Sequence, residues 1–215
     1  MKTIGIIGGM GPYATVDFFR NILDSTKVTK DFEHIPLVIH NDATVPSRTR
    51  AILYNEESPV PRTVENIQSI QDIVDFIVLP CNSIHYWYND ISSKIEKPWL
   101  NMLEIVSSVL KPPVLVLGSY VTMEKGLYNK YAETHYLLNK NIVYQSIEHL
   151  KLGRNKKVEE LNDEVKKYVS ENDVNTILLA CTELTNIDFD VDIPVIDSSM
   201  EYAKACVAIS GGTVK

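Results

Sequence analysis

The sequence predicts an α/β protein of two pseudo-symmetric lobes, each a mostly parallel sheet flanked by helices, and three observations point there. Short runs of Ile, Val and Leu alternate with helical patterns along nearly the whole chain. An apolar strand that passes through Gly into a helix occurs twice, in "IGIIGGMGPYATVDFF" from residue 4 and in "VLVLGSYVTMEKGLYNKY" from residue 114. A strand that ends in a cysteine followed by polar residues also occurs twice, in "VLPCNSIHYW" at 78–87 and "ILLACTELTN" at 177–186. Alternating strands and helices imply parallel strands covered on both faces. Ligands of such sheets bind outside the carboxyl ends of the strands, where both cysteines fall. Two features repeated in the same order suggest lobes facing each other across a cleft that holds the active site.

The elements follow in order. Residues 4–7, 37–39, 76–79, 114–117, 142–144, 177–179 and 195–196 read as strands because each is a short Ile-, Val- or Leu-rich run. Between them 14–23, 64–74, 124–132 and 158–169 carry helical patterns. The first lobe is expected over 1–100 and the second over 101–197, with the Pro-marked segments "KPWLNM" and "LKPPV" near the junction. The last stretch, 198–215, is expected to be a C-terminal helix, with its pattern over 200–209, that returns to the first lobe.

Composition narrows the function. Hydrophobic residues at 45% and charged residues at 23% fit an ordinary globular protein. With 21 Lys and Arg against 28 acids, the net charge of −7 argues against a nucleic-acid partner, which requires clustered cations. No apolar run approaches the roughly 20 residues that cross a bilayer, and the opening segment lacks a signal-peptide shape. No membrane partner and a cytoplasmic location are therefore expected. Three cysteines, Cys81, Cys181 and Cys206, are too few for a secreted disulfide framework, and no C-x-x-C spacing suggests a metal. What remains is catalytic or plainly buried thiols.

"GIIGGMGP" at 5–12 follows a strand and opens a helix, so it is either an anion-receiving helix start or simply a tight turn that needs Gly. Its glycines do not form a dinucleotide fingerprint, and no phosphate-cradling P-loop occurs. In "HNDATVPSRTRAIL" at 40–53, Arg48 or Arg50 either holds a substrate carboxylate through its guanidinium fork or is a solvated helix-start arginine. A lone cysteine is more often a small buried hydrophobe. Two similar placements favour chemistry, because backbone N–H groups and polar neighbours lower a thiol's pKa from its usual value of about 8.5. Those neighbours are Asn82 and Ser83 at one thiol, Thr182 and Glu183 at the other. Cys206, between Ala and Val in "YAKACVAI", reads as packing. His85, one turn after Cys81, tunes the thiol, orients substrate, or is a hydrogen-bonded helix histidine. Glu183 either accepts a proton or stabilises a helix start.

Together "IGIIGGMGP", "EHIPLVIHNDATVPSRT", "PCNSIH", "GLY" at 126–128 and "ACTEL" resemble the aspartate/glutamate racemase superfamily, closest to its aspartate racemase branch. The resemblance covers nearly the whole chain in order. It implies a cofactor-independent amino-acid racemase, usually a homodimer, that acts on a small amino-acid substrate with one catalytic cysteine from each lobe, Cys81 and Cys181. It also implies that Met10 lines the pocket, Arg48 binds the side-chain carboxylate, Asn82 and Thr182 hold the α-carboxylate, and Glu183 supports the second cysteine. A basic residue ahead of that cysteine is matched by Lys151, with Arg154 as the alternative. Ser83 and Ile84 stand where the branch more often has Thr and Ala, which bears on pocket shape rather than on chemistry. Inverting a stereocentre needs acid/base groups on both faces of one carbon, and paired thiols meet that need. The competing readings are a non-catalytic binder of small acids, for which paired thiols are superfluous, a decarboxylase or isomerase of the same superfamily, and a thiol redox protein.

Overall fold

Three parallel strands form the first sheet in the order β2-β1-β3: β1 Ile4–Gly8, β2 Leu37–Asn41 and β3 Phe76–Val78. The computed structural model describes residues 1–151, 158–185 and 187–215. Four parallel strands form the second sheet in the order β5-β4-β6-β7: β4 Val114–Gly118, β5 Thr134–His135, β6 Thr176–Ala180 and β7 Val195–Asp197. Every residue of β1, β3, β4 and β6 is buried, as expected of parallel strands covered on both faces. The chain divides into two compact units, Met1–Ile105 with Ser199–Lys215, and Val106–Ser198. It is a mixed α/β protein of two parallel sheets flanked by helices.

The two units are built on one plan. In the first, the Ile4 N–H donates to the Pro36 carbonyl at 3.0 Å, Asp75 to Thr3 at 2.9 Å, and Ile77 to Pro98 at 2.8 Å. In the second, Val114 donates to Glu133, Asn175 to Pro113, and Ile177 to Pro194, each at 2.9 Å. The corresponding outer neighbour is an isolated bridge from Ile77 to Trp99 in the first unit and the full strand β7 in the second. The pairs 75/175 and 77/177 have the same spacing as Cys81 and Cys181, so the repeated sequence pattern has a repeated ladder beneath it.

Three element assignments differ from the sequence reading. Residues 142–144 are not a strand: they lie in helix Lys140–Lys151, where Val143 and Ile147 are buried and Leu150 packs beside them, an i, i+4, i+7 face. Three apolar or aromatic residues in a row hid a period that extends over the whole helix. Residues 124–132 are not a helix either. The helix is Tyr120–Glu124, capped by Ser119, and Gly126 at φ 55° turns the chain toward the short strand β5, which the sequence pattern did not reveal. The segment expected to be helical over 64–74 forms helix Val60–Gln68 and a separate 3-10 turn Gln71–Ile73. Pro61 sits in the first turn of that helix, where its missing N–H costs nothing.

The C-terminal helix Ser198–Ile209 belongs to the first unit from Ser199 onward. Tyr202 is fully buried beside Phe18, with ring centroids 5.5 Å apart, and its hydroxyl donates to the Leu100 carbonyl at 2.7 Å. The chain end closes with Lys27 donating to Thr213 at 2.8 Å and Lys215 to Ser25 at 2.9 Å. Among the described residues, no helix is long and apolar enough to cross a membrane.

One glycine fixes where β1 ends relative to β2. Gly9 has φ 95°, and a Cβ there would lie 2.0 Å from the Asp42 carbonyl oxygen. Gly9→Ala should therefore lower stability by about 2–3 kcal/mol, combining left-handed strain with a backbone collision. Urea unfolding of the variant beside the parent protein checks this; an unchanged midpoint would mean that the two loops separate without cost.

Candidate active site

The first unit gathers its polar residues at the carboxyl edge of the sheet. Beyond β3, Cys81 is extended (φ −151°, ψ 109°) and caps the 3-10 turn Asn82–Trp87. The thiol is half-buried, while Asn82 and Ser83 are buried. Met10, past the end of β1, lies in the apolar cluster against which Cys81 packs. Arg48 opens helix Arg48–Leu53, whose start Ser47 caps by accepting from the Arg50 N–H at 3.3 Å. This helix packs on the turn that follows Cys81. Met10, Arg48, Cys81, Asn82 and Ser83 thus belong to adjoining segments of one unit.

The two arginines, alike in sequence, differ in their engagements. Arg50 is exposed and grips Glu56 through two nitrogens, Nε at 2.7 Å. Arg48 donates from Nη2 to the Met10 carbonyl at 2.7 Å and from Nη1 to the Pro46 carbonyl at 3.4 Å. Its Nε is buried without a hydrogen-bond partner among the described residues. No carboxylate is paired with Arg48 among those residues.

The second unit repeats the strand end with different neighbours. Cys181 follows β6, is extended (φ −154°, ψ 129°), and caps the 3-10 turn Thr182–Leu184. Its half-buried thiol donates to Glu183 Oε2 at 2.9 Å, and the Thr182 hydroxyl reaches the same oxygen at 3.2 Å. Helix Lys140–Lys151 packs on this turn. Lys151 ends that helix, but its side chain and the whole of Arg154 lie outside the described residues. Cys206 is fully buried, and burial pushes its thiol well up, as befits a packing residue. Among the described residues no group of three or more His, Cys, Asp or Glu is arranged to hold a metal.

A family model described as Asp/Glu/Hydantoin racemase matches residues 7–206. The chain belongs to this racemase family. The structure is similar to Picrophilus torridus aspartate racemase, with a TM-score of 0.86 and 32% identity over 100% of this chain and 96% of that one, which places the chain in the aspartate racemase branch. Among curated proteins it is 25% identical to the broad specificity amino-acid racemase RacX of Bacillus subtilis, over 95% of this chain and 96% of that protein. The fold also matches an aspartate racemase homologue from Pyrococcus horikoshii OT3, with a TM-score of 0.80 and 22% identity over 98% of this chain and all of that one.

In this racemase-family chain the structure adds supports that were not singled out in the sequence. Asp42, buried just past β2, accepts from the Thr44 hydroxyl at 2.6 Å, the Thr44 N–H at 2.8 Å, Asn66 at 3.0 Å and Arg62 at 2.6 Å. Those donors, Thr44 foremost, hold its carboxyl well below the usual range. This network pins the loop that leads to Arg48. Its legible signal was Asp-x-Thr, the spacing of an Asx turn. In the second unit Glu124 accepts from Tyr144 at 2.9 Å and Lys140 at 3.2 Å, anchoring the helix that packs on the Cys181 turn. Asn66 and Tyr144 gave no comparable sequence signal.

His85 is buried, its Nδ1 lies 2.9 Å from the Cys81 carbonyl, and its Nε2 accepts from the Met102 N–H at 3.1 Å. It therefore touches the main chain of Cys81. Burial pushes its imidazole down to about 4, against the smaller upward pull of the Cys81 and Leu100 carbonyls. Below its unfolded value near 6.5 the unfolded chain takes a proton that the folded chain refuses until about 4. Stability carried by His85 is thus complete above pH 6.5 and declines as the pH falls toward 4. Between pH 7 and 5 the parent protein should lose about 2 kcal/mol more than His85→Asn does, at 1.36 kcal/mol per pH unit. Urea titrations of both proteins at the two pH values measure the difference, and parallel pH dependences would place the buried charge elsewhere.

Proposed function

We propose that this chain interconverts L- and D-aspartate without a cofactor, using Cys81 and Cys181 as the two proton-transfer groups. The observation that carries the reading is the repeated strand end: within a racemase-family chain, both cysteines stand at the head of a 3-10 turn at nearly the same backbone angles. In one direction the Cys81 thiolate removes the α-proton from one face, and the Cys181 thiol returns a proton to the other. The cysteines then exchange protonation states, so the opposite enantiomer reacts in reverse and no net proton is consumed. Deprotonation places charge on the α-carboxylate. The turns after each cysteine supply backbone N–H groups with Asn82, Ser83 and Thr182, which are suited to stabilise it. The thiol-to-carboxylate hydrogen bond at Glu183 supports a placing role for that residue at Cys181.

Aspartate is favoured by two points. The 32% identical structural relative bears the name aspartate racemase, and Arg48 presents a guanidinium with no carboxylate partner among the described residues. The broad-specificity relative makes other amino acids the natural panel against which to measure selectivity.

Incubation of the reduced protein with single L-amino acids in deuterium oxide, read by chiral chromatography and proton NMR, should show aspartate inverting with α-deuteration and no added pyridoxal phosphate. Cys81→Ala and Cys181→Ala should each lose inversion by a factor of at least about 10², the low end for removing a proton-transfer group. Each should keep one-sided α-exchange on opposite enantiomers, while Cys206→Ala should match the parent. Racemisation at parental rates in both single variants would remove the thiols from the chemistry.

Arg48→Lys keeps the charge but loses the fork. It should weaken kcat/KM for aspartate by about 10–100-fold, the cost of one charge-assisted contact, and weaken it less for asparagine. Equal losses on the acid and its amide would take Arg48 away from the side-chain carboxylate.

A further inference from the structure

We infer that His85 is a positioning residue for Cys81: its imidazole clamps the Cys81 main chain to the start of helix Met102–Ser107 and so fixes the direction of the thiol. The inference rests on the proposed role of Cys81.

Two hydrogen bonds define the clamp. Nδ1 against the Cys81 carbonyl and Nε2 accepting from the Met102 N–H together assign a neutral ring with its proton on Nδ1, although the Leu100 carbonyl also lies near the ring. The Met102 N–H belongs to the first turn of its helix, where backbone donors lack intrahelical partners. The next two, from Leu103 and Glu104, are taken by Asn101 Oδ1 at 3.0 and 3.3 Å. His85 therefore completes a helix start on one side and holds a carbonyl on the other. Aromatic neighbours keep the ring in place, with the Trp99 centroid at 4.9 Å, Tyr88 at 6.3 Å and Tyr202 at 6.5 Å.

The matching position in the second unit is Thr185, with different partners. Thr185, four residues after Cys181, donates its hydroxyl to Thr182 at 2.8 Å, and the Cys181 carbonyl accepts from the Leu184 N–H at 3.1 Å. There the thiol itself is held, by Glu183. One cysteine is thus positioned through its main chain and the other through its sulfur, so a change at His85 should be felt at Cys81 and not at Cys181.

Side-chain swaps separate the two halves of the clamp. Gln in place of His85 offers an acceptor near the Nε2 position for Met102 but no donor to Cys81, whereas Asn offers a donor near the Nδ1 position. His85→Gln should lower kcat by about tenfold or more with KM little changed, as expected when a reacting group loses its placement. Cys81 alkylation by iodoacetamide, read by peptide mass spectrometry, should quicken at least about threefold as the half-buried thiol is released, with Cys181 as the unchanged internal reference. His85→Asn should restore most of both properties. Nitrogen-15 NMR of the parent protein should find the proton on Nδ1.

A parent protein with the proton on Nε2, or a His85→Gln variant with parental kcat and parental Cys81 alkylation, would overturn the inference. So would equal changes at both cysteines, which would signal general loosening. If the parent protein exchanges no amino-acid α-proton at all, the proposed function falls, while the tautomer and alkylation rates still decide the clamp.

Discussion

A parallel strand buried on both faces has nowhere to place a polar side chain until it ends, and that constraint governs this molecule. β3 and β6 carry only apolar side chains or a capped Thr, each pairs with a central strand, and each gives way to a 3-10 turn headed by a cysteine. The carboxyl end is the first point at which a thiol can combine apolar walls with free backbone N–H groups. The ladders of the two units have equivalent bonds at Ile77 and Ile177, and both cysteines are extended just beyond them. The proposed proton-transfer groups are thus set at the ends of rigid elements, where a placement error of an ångström is least expected.

Around that shared frame the units diverge, and the divergence lies in side-chain partners. In the first, Asp42 gathers Thr44, Asn66 and Arg62 to pin the loop before Arg48, whose guanidinium reaches across to the Met10 carbonyl. In the second, Glu124 ties helix Tyr120–Glu124 to helix Lys140–Lys151, and Glu183 takes the thiol of Cys181. Each arrangement satisfies buried or half-buried polar groups, which is what the low dielectric demands. Low sequence similarity between the two halves is therefore compatible with close similarity of their ladders: only the apolar strands, the glycines at the turns and the cysteines have to match.

The sequence made the frame legible because buried parallel strands are short apolar runs, and six of the seven expected strands stand where the pattern put them. The seventh failed because Val143 is one anchor of an amphipathic helix face whose others, Ile147 and Leu150, lie beyond a strand-sized window. β5 was invisible because two residues, Thr134 and His135, form it through pairing with β4 and not through propensity. At the site, the helix-start pattern alone left Arg48 and Arg50 equivalent, and the resemblance chose Arg48; only the fold shows that Glu56 engages Arg50. For His85 the spacing to Cys81 was visible, but its second partner, the Met102 N–H, opens a helix 17 residues further on.

On the two-thiol mechanism proposed above, unequal support for the two thiols raises the question of how a racemase would tolerate an uneven scaffold. Enantiomers have the same free energy in achiral water, so the equilibrium constant of racemisation is one, and kcat/KM must be equal in the two directions whatever holds each cysteine. Asymmetry can only divide that common value differently between kcat and KM, by changing how tightly each protonation form of the enzyme binds its own enantiomer. A scaffold made by repeating one α/β unit is free to drift in the neighbours of each cysteine, provided that both thiols stay placed. The contrast between a main-chain clamp at Cys81 and a carboxylate at Cys181 is the kind of difference this thermodynamic tolerance allows.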